Sequence, residues 1–305
     1  MQNKGIIHGV AAYTVWGLLP IYWKLIGSVP PLEILSHRMV WSLLFLLLLL
    51  ALRQQWQWLR PALRNGKTVL IYLVTAVLLS INWGVYIWAV NAGHIVESSL
   101  GYFINPLVNV LLGVILLQER LRPWQIVAVV VASLGVLYLT FHTGRPPWIA
   151  LTLAFTFGFY GLLRKKAPLP SLHGLSLEMG LMFLPALGYM LWTQIRGTAV
   201  FLHTDLQHIN LLLPLAGIVT ALPLLWFGTA AQHVTLTTLG ILQYAAPTLQ
   251  FLLGVLAYGE PFNQDKFLGF SLIWIALIIY TTERIKHHHA QLKQANLQTQ
   301  SNSVG

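Results

Sequence analysis

The chain has 305 residues, of which 56% are apolar and only 9% charged, whereas about 25% are charged in an average soluble domain. This composition predicts an integral membrane protein, and it excludes a nucleic-acid-binding module because the formal charge of +10 lies almost entirely between apolar runs. Cysteine is absent, which excludes disulfides, thiol catalysis and cysteine-based zinc sites.

Ten apolar runs are long enough, or nearly so, to cross a hydrocarbon core of about 30 Å as α-helices. The predicted spans are residues 6–26, 33–52, 69–91, 98–117, 124–141, 147–163, 174–193, 211–231, 236–257 and 267–283. No small-residue cleavage pattern follows the first run, so we interpret it as an uncleaved span.

The positions of the basic residues predict the orientation of the chain. If the N-terminus is cytoplasmic, inner segments hold 13 Lys and Arg residues and outer segments hold four, which with Arg38 inside a span accounts for all 18. Cytoplasmic loops carry the excess of positive charge in membrane proteins. Both termini are therefore predicted to be cytoplasmic.

An internal duplication relates the two halves of the chain. The stretch at residues 98–120 returns in outline at 238–260, and the matches 141 positions apart are Pro106 with Pro247, Gly113 with Gly254 and Glu119 with Glu260. At the same offset, Trp16-Gly17 matches Phe157-Gly158 and Lys24 matches Lys165. Each half holds five predicted spans, and because five is odd and the connector is short, the second half must enter the membrane inverted.

The predicted fold is an all-α integral membrane protein with ten transmembrane helices in a five-plus-five inverted-topology repeat. Residues 1–143 form the first repeat, 144–285 form the second, and 286–305 form a polar cytoplasmic tail that we predict to be disordered. Two similar, inverted halves that exchange conformations turn an outward-open shape into an inward-open one. The duplication thus predicts alternating access.

Four stretches of the chain are distinctive: AYTVWGLLPIYWK (Ala12–Lys24), EILSHRMVWS (Glu33–Ser42), INWGVYIWAVNAGHIVESSLGYFINPL (Ile81–Leu107) and LGILQYAAPTLQFLLGV (Leu239–Val255). They resemble the RarD-type permeases of the EamA family, in the drug/metabolite transporter superfamily. The resemblance covers both halves. It implies a multi-pass permease of the bacterial inner membrane with a central cavity, and it defines the solute only loosely.

The two repeated prolines point to the binding site. Pro106 and Pro247 each free a backbone carbonyl inside an apolar span, and paired interrupted spans are typical of transporter sites. The candidates for cavity-lining side chains are Tyr13, Trp16, Asn82, Trp83, Tyr86, Tyr102, Asn105, Asn109, Gln243, Tyr244 and Gln250. The alternative is that these amides only join helices, at about 0.6 kcal/mol per contact.

Ionisable residues inside the spans are candidates for gating or coupling. They are Glu33, His37, Arg38 and Glu178; Glu33 and His37 are also i, i+4 neighbours that we expect to share a proton or form an ion pair. All eight acidic residues lie near span ends, which argues against a proton carrier at the midplane.

No metal-binding, cofactor-binding or catalytic motif is found, so the chain is predicted not to be an enzyme. The expected partners are the lipid bilayer and a small solute, without nucleic acid, for a monomer or homodimer. We predict a permease, as an exporter or facilitated exchanger of small amphipathic solutes such as metabolites or chloramphenicol-like drugs. The alternative is a membrane scaffold or sensor that transports nothing.

Overall fold

The computed structural model describes residues 2–91, 95–141, 148–203, 206–257, 267–269, 271–283 and 285–287. Within these ranges the chain is helical with short connections, and no β-strand occurs. The boundary predicted between residues 143 and 144, and all but the first two residues of the tail predicted at 286–305, lie outside the described part of the chain.

Helices cover each of the ten predicted spans. In chain order they are α1 (Gln2–Leu25), α2 (Pro31–Leu52), α3 (Leu59–Arg64), α4 (Gly66–Asn91), α5 (Ile95–Leu117), α6 (Pro123–Phe141), α7 (Trp148–Lys166), α8 (Ser171–Arg196), α9 (Gln207–His233), α10 (Leu236–Gln243) and α11 (Ala245–Leu252). A π-helical turn, Leu253–Ala257, follows α11, and the last helix is Phe267–His287 apart from residues 270 and 284.

Seven helices of the described chain are long and apolar enough to cross a membrane. They are Asn3–Leu25, Pro31–Leu52, Gly66–Tyr86, Pro123–Phe141, Ser171–Arg196, Gln207–His233 and Phe267–His287, and a shorter apolar helix is Gly101–Leu117. Large apolar side chains such as Leu48, Leu184 and Leu211 are exposed on their outer faces. Such faces contact lipid, since hydrocarbon is the solvent there.

The ninth predicted span is not a single continuous helix. It is divided at Tyr244 into α10 and α11, and Pro247 lies in the first turn of α11. Proline has no N–H to donate to the carbonyl four residues earlier, here that of Gln243, the last residue of α10. Pro106, its counterpart by sequence, lies inside α5 without dividing it.

The principal helix contacts join elements that are distant in sequence. Helix α1 packs on α9 and α11, α7 packs on α4 and α5, and α2 packs on α8 and α9. Two glycines permit close approach: a methyl group on Gly17 would lie 2.7 Å from Cβ of Leu249, and one on Gly158 would lie 2.7 Å from Cγ1 of Val108. Helices α1 and α11, and likewise α7 and α5, are therefore close-packed at these points.

Candidate functional site

A cavity of about 170 Å³ lies between the helices and is lined by side chains from eight of them. Its lining residues are Tyr13, Trp16, Leu19, Pro20 and Trp23 of α1, Arg38 of α2, Asn82, Trp83 and Tyr86 of α4, Gly101, Tyr102 and Asn105 of α5, Leu153 and Phe157 of α7, Thr220 and Leu224 of α9, Gln243 of α10, and Ala246, Pro247 and Gln250 of α11. The surface combines aromatic rings, amides, hydroxyls and one guanidinium group. Such a lining suits an amphipathic solute.

Nine of the eleven predicted cavity residues line this space, and Asn109 and Tyr244 do not. Both of these side chains are fully buried, Tyr244 in an apolar cluster with Phe103 and Ile273. Pro247 lines the cavity and Pro106 does not. The structure therefore brings most of the candidates together and places these three in the surrounding protein.

Asn109 joins the two proline-containing spans. Its Nδ2 donates to Oδ1 of Asn105 at 3.3 Å and to Oε1 of Gln243 at 2.8 Å. Gly240 of α10 makes this approach possible, because a methyl group there would lie 2.6 Å from the carbonyl oxygen of Pro106. Asn109 thus positions two amides of the cavity wall, in agreement with the alternative of an interhelical contact.

A third proline also frees a carbonyl beside the cavity. Pro20 lies inside α1, so the carbonyl of Trp16, four residues earlier, has no intrahelical donor. Nε2 of Gln250 donates to that oxygen at 3.1 Å and so joins α11 to α1. Asn82 joins α4 to α7 in a similar way, since its Nδ2 donates to the carbonyl of Leu153 at 2.8 Å and to Oγ1 of Thr156 at 2.9 Å.

Five aromatic rings form a cluster at the cavity, and three of them, Tyr13, Trp16 and Phe157, line it. Phe227, fully buried, contacts the rings of Tyr13, Trp16, Phe157 and Tyr160 with centroid distances of 5.2 to 6.3 Å. We call these five residues the aromatic layer. On its far side the hydroxyl of Tyr160 donates to Oε2 of Glu178 at 3.2 Å.

Glu178 belongs to a buried ion pair with Arg164, and both side chains are 0% exposed. Nη1 of Arg164 lies 3.4 Å from Oε1 of Glu178, and its Nη2 donates to the carbonyl and hydroxyl of Ser171 at 3.2 and 3.3 Å. Gly174 and Gly228 leave space for the guanidinium, because a methyl group on either would lie within 2.5 Å of it. The charge count includes Arg164 among the 13 inner residues, next to Lys165 and Lys166, but its side chain is a buried cation that joins α7 to α8 and not an exposed loop charge.

Glu33 and His37 do not pair, contrary to the prediction from their spacing. The carboxylate of Glu33 accepts hydrogen bonds from the backbone N–H of Val200, at 2.9 and 3.1 Å, and of Phe201, at 2.9 Å. Nδ1 of His37 accepts from Nε1 of Trp41 at 3.0 Å. Glu33 therefore fixes the connection after α8, because two aligned N–H groups are better placed for it than the imidazole is.

Glu119 has the corresponding task at the other end of the bundle. Its carboxylate accepts from the backbone N–H groups of Leu236 and Thr237 at 2.6 and 2.9 Å and from the hydroxyl of Thr237 at 2.7 Å. A carboxylate at a helix N-terminus satisfies donors that the helix itself leaves free. This contact fixes the start of α10, the helix that carries Gln243 into the cavity wall.

Arg38 lies in the cavity wall between two indole rings. Its guanidinium carbon is 4.9 Å from the ring centroid of Trp23 and 4.4 Å from that of Trp83, and its Nε donates to Oγ1 of Thr220 at 2.9 Å. The sequence analysis missed Trp23 and Thr220. Trp23 lies near the end of its predicted span, where tryptophan commonly faces the membrane interface, so its local position in the sequence does not indicate the cavity.

One signal in the sequence relates Arg38 to the buried Arg164–Glu178 pair. Leu35, Ser36 and Met39 match Leu175, Ser176 and Met179 at an offset of 140, which aligns Arg38 with Glu178, and Trp23 aligns with Arg164 at 141. The second half thus has an arginine–glutamate pair where the first half has a tryptophan–arginine pair. This comparison would have found both Trp23 and Arg164.

A larger hollow of about 700 Å³ lies near the start of α1, lined by residues that include Asn3, Glu119 and Tyr280. We do not assign the site to it, because its residues lie at the ends of helices and border parts of the chain that the structure does not describe. No group of three or more His, Asp or Glu side chains is arranged to hold a metal ion within the described ranges.

Comparisons with known proteins agree with this architecture. The EamA-like transporter family model matches residues 3–141. Protein RarD of Streptomyces exfoliatus is 49% identical over 286 residues, covering 93% of this chain and 90% of the relative, and the uncharacterized transporter YojE of Bacillus subtilis (strain 168) is 45% identical over 292 residues, covering 94% and 97%. A solved chain, "Crystal structure of protein", superposes with a TM-score of 0.69 at 18% identity, covering 92% of this chain and 98% of its own.

The long apolar helices define a multi-pass membrane protein, and the relatives define its class as a membrane transporter. The chain belongs to the EamA-like transporter family, among its RarD-type permeases. It is a multi-pass protein of the bacterial inner membrane. The solved chain, at its low identity, bears on the fold alone.

Proposed function

We propose that this permease moves small amphipathic organic solutes through the central cavity by alternating access of two inverted five-helix halves. The observation that carries the proposal is the composition of the cavity wall, to which helices of both predicted halves contribute rings and amides around about 170 Å³. That volume corresponds to about six water molecules at about 30 Å³ each. Metabolites and chloramphenicol-like drugs are examples of such amphipathic solutes.

The pattern of helix contacts supports the inverted repeat. In the repeat, α1, α2, α4 and α5 would correspond in order to α7, α8, α9 and the α10–α11 pair. The contact of α1 with α9 then corresponds to the contact of α7 with α4, and the contact of α1 with α11 corresponds to that of α7 with α5. The glycine contacts obey the same relation, since Gly17 and Leu249 lie 141 positions from Gly158 and Val108. The two halves would then be residues 1–143 and 144–285. Both termini of the chain would be cytoplasmic.

The aromatic layer supports a gating role for its five residues. Its rings connect the cavity wall to Tyr160, which binds Glu178. In the proposed mechanism this layer is the closed gate, and the solute enters from the Arg38 side, which the charge pattern predicts to be outer. Opening to the cytoplasm would require Phe227 and Tyr160 to separate. By this mechanism the protein would act as an exporter or a facilitated exchanger. The Arg164–Glu178 ion pair would stabilise the closed end.

A flux experiment tests the proposal. Proteoliposomes that contain the purified protein are loaded with unlabelled chloramphenicol or 3-phenylpropanoate. The labelled form of the same compound is then added outside, and its uptake by counterflow is measured. Ala246→Trp should fill the cavity and abolish counterflow, whereas Leu184→Trp, at a lipid-facing position that is 74% exposed, should leave it intact. Equal counterflow in both variants would refute transport through this cavity, and no flux for a broad panel of amphipathic solutes would favour the scaffold or sensor.

A further inference from the structure

We propose that the cavity selects solutes that carry one negative charge, a carboxylate above all, on an aromatic or apolar body, and that Arg38 binds this charge. The inference rests on the proposed function and adds the solute class to it. Arg38 thereby becomes a residue that determines specificity.

The contacts of Arg38 leave its hydrogen-bonding fork available. Only Nε has a hydrogen-bond acceptor among the described residues, Oγ1 of Thr220 at 2.9 Å. The guanidinium carbon lies over the rings of Trp23 and Trp83, 4.9 and 4.4 Å from their centroids, and these contacts hold the group in place. The two terminal nitrogens, which bind a carboxylate in bidentate geometry, have no acceptor in the described part of the chain.

The four acidic side chains that the structure describes all bind groups other than Arg38. Glu33 is bound to backbone N–H groups, Glu119 to the start of α10, Glu178 to Arg164, and Glu283 to Arg122 at 2.9 Å. The aligned position in the second half shows the alternative, because there the buried arginine has its own glutamate. A positive charge in a largely apolar wall attracts an anion more strongly than in water, because the surrounding dielectric constant is lower.

The rest of the wall fits the body of such a solute. Trp16, Phe157 and Leu224 supply apolar surface, and Tyr86 and Tyr102, whose ring centroids are 5.9 Å apart, supply hydroxyl groups. Asn105 and Gln243 supply amides at the proline-containing helices. A carboxylate at Arg38 and a ring against the aromatic layer would occupy the cavity along its length.

The test compares 3-phenylpropanoate with two probes of almost the same shape, neutral 3-phenylpropanamide and cationic 3-phenylpropylamine. Binding to purified wild-type protein is measured by equilibrium dialysis of labelled probe. We expect the carboxylate to bind about 10- to 100-fold more tightly than the amide, because a charge-assisted bidentate contact is lost, and the amine to bind most weakly. An amide or amine that binds as tightly as the carboxylate, or a carboxylate that does not bind, overturns the proposal without any variant.

Arg38→Gln should remove this preference, so that carboxylate and amide bind within about threefold of each other. Arg122→Gln removes the same charge at a partly exposed position outside the cavity and should keep the wild-type preference. A preference that persists in Arg38→Gln overturns the assignment of Arg38. Equal binding of amide and carboxylate with normal counterflow refutes only the anion selectivity, whereas binding without any counterflow refutes the permease.

Discussion

The buried ion pair at the closed end of the molecule gives the strongest stability prediction. Replacing Glu178 by Met leaves the guanidinium of Arg164 buried with no compensating charge. At 3.4 Å and an effective dielectric constant of about 20, the attraction between unit charges is about 5 kcal/mol. Removing one partner of such a pair costs about 3–5 kcal/mol, and since 3.4 Å is longer than a good charge-assisted bond, we expect a value near 3 kcal/mol.

A double-mutant cycle isolates this interaction. Arg164→Met and Glu178→Met should each destabilise the protein, and the double variant should be close to wild type, because no buried charge then remains. The free energy of unfolding is measured by detergent titration of purified variants, with tryptophan fluorescence as the signal. The partly exposed pair of Arg122 and Glu283 is the control, and we expect a coupling below about 1 kcal/mol there. A coupling between Arg164 and Glu178 as small as in this control would contradict the reasoning.

Three further predictions concern the site and its frame. Asn105→Leu should weaken binding of 3-phenylpropanoate about 5- to 150-fold with only a small loss of stability. Asn109→Leu, outside the cavity, should instead lower the stability by about 1–3 kcal/mol and leave the affinity nearly normal. The reverse pattern would remove the proline-containing helices from the binding site. Gly17→Ala should destabilise the folded protein by about 1–2 kcal/mol, because the added methyl group would overpack against α11. Gly180→Ala is the control, since a methyl group there has no atom within 4 Å and should not change the stability. Equal melting temperatures of the two variants would refute the close contact at Gly17. Glu178→Gln should leave transport per folded molecule and its pH profile mostly intact, and loss of gradient-driven uptake with normal exchange would identify Glu178 as the coupling site.

Much of the architecture followed from the sequence, because lipid imposes simple constraints. An apolar run of about 20 residues must form a helix, and an amide within it must face protein or water. These constraints placed Asn82, Asn105 and Gln243 at the cavity. They do not distinguish Asn105 from Asn109, which share a helix face one turn apart; the packing of α10 against α5 decides which of them lines the cavity.

The errors have a common physical origin, which is contact between residues distant in sequence. Arg164 begins a basic run with Lys165 and Lys166, so its local surroundings indicate a loop, and only the space left by Gly174 and Gly228 makes its burial possible. Glu33 has a suitable neighbour one turn away and instead binds a connection 167 residues later. Local spacing identifies possible partners, and tertiary packing selects among them.

Alternating access of the cavity is the central claim, and Ala246→Cys in this cysteine-free chain tests it most directly. Ala246 lines the cavity, and cysteine is only slightly larger. An impermeant thiol reagent is added to either face of sealed, oriented membranes, with Leu202→Cys, 68% exposed and predicted to be outside, and Arg122→Cys, predicted to be inside, as one-sided controls. We expect labelling of Ala246→Cys from both faces and protection by bound solute. Labelling from one face only, under all solute gradients, would contradict alternating access.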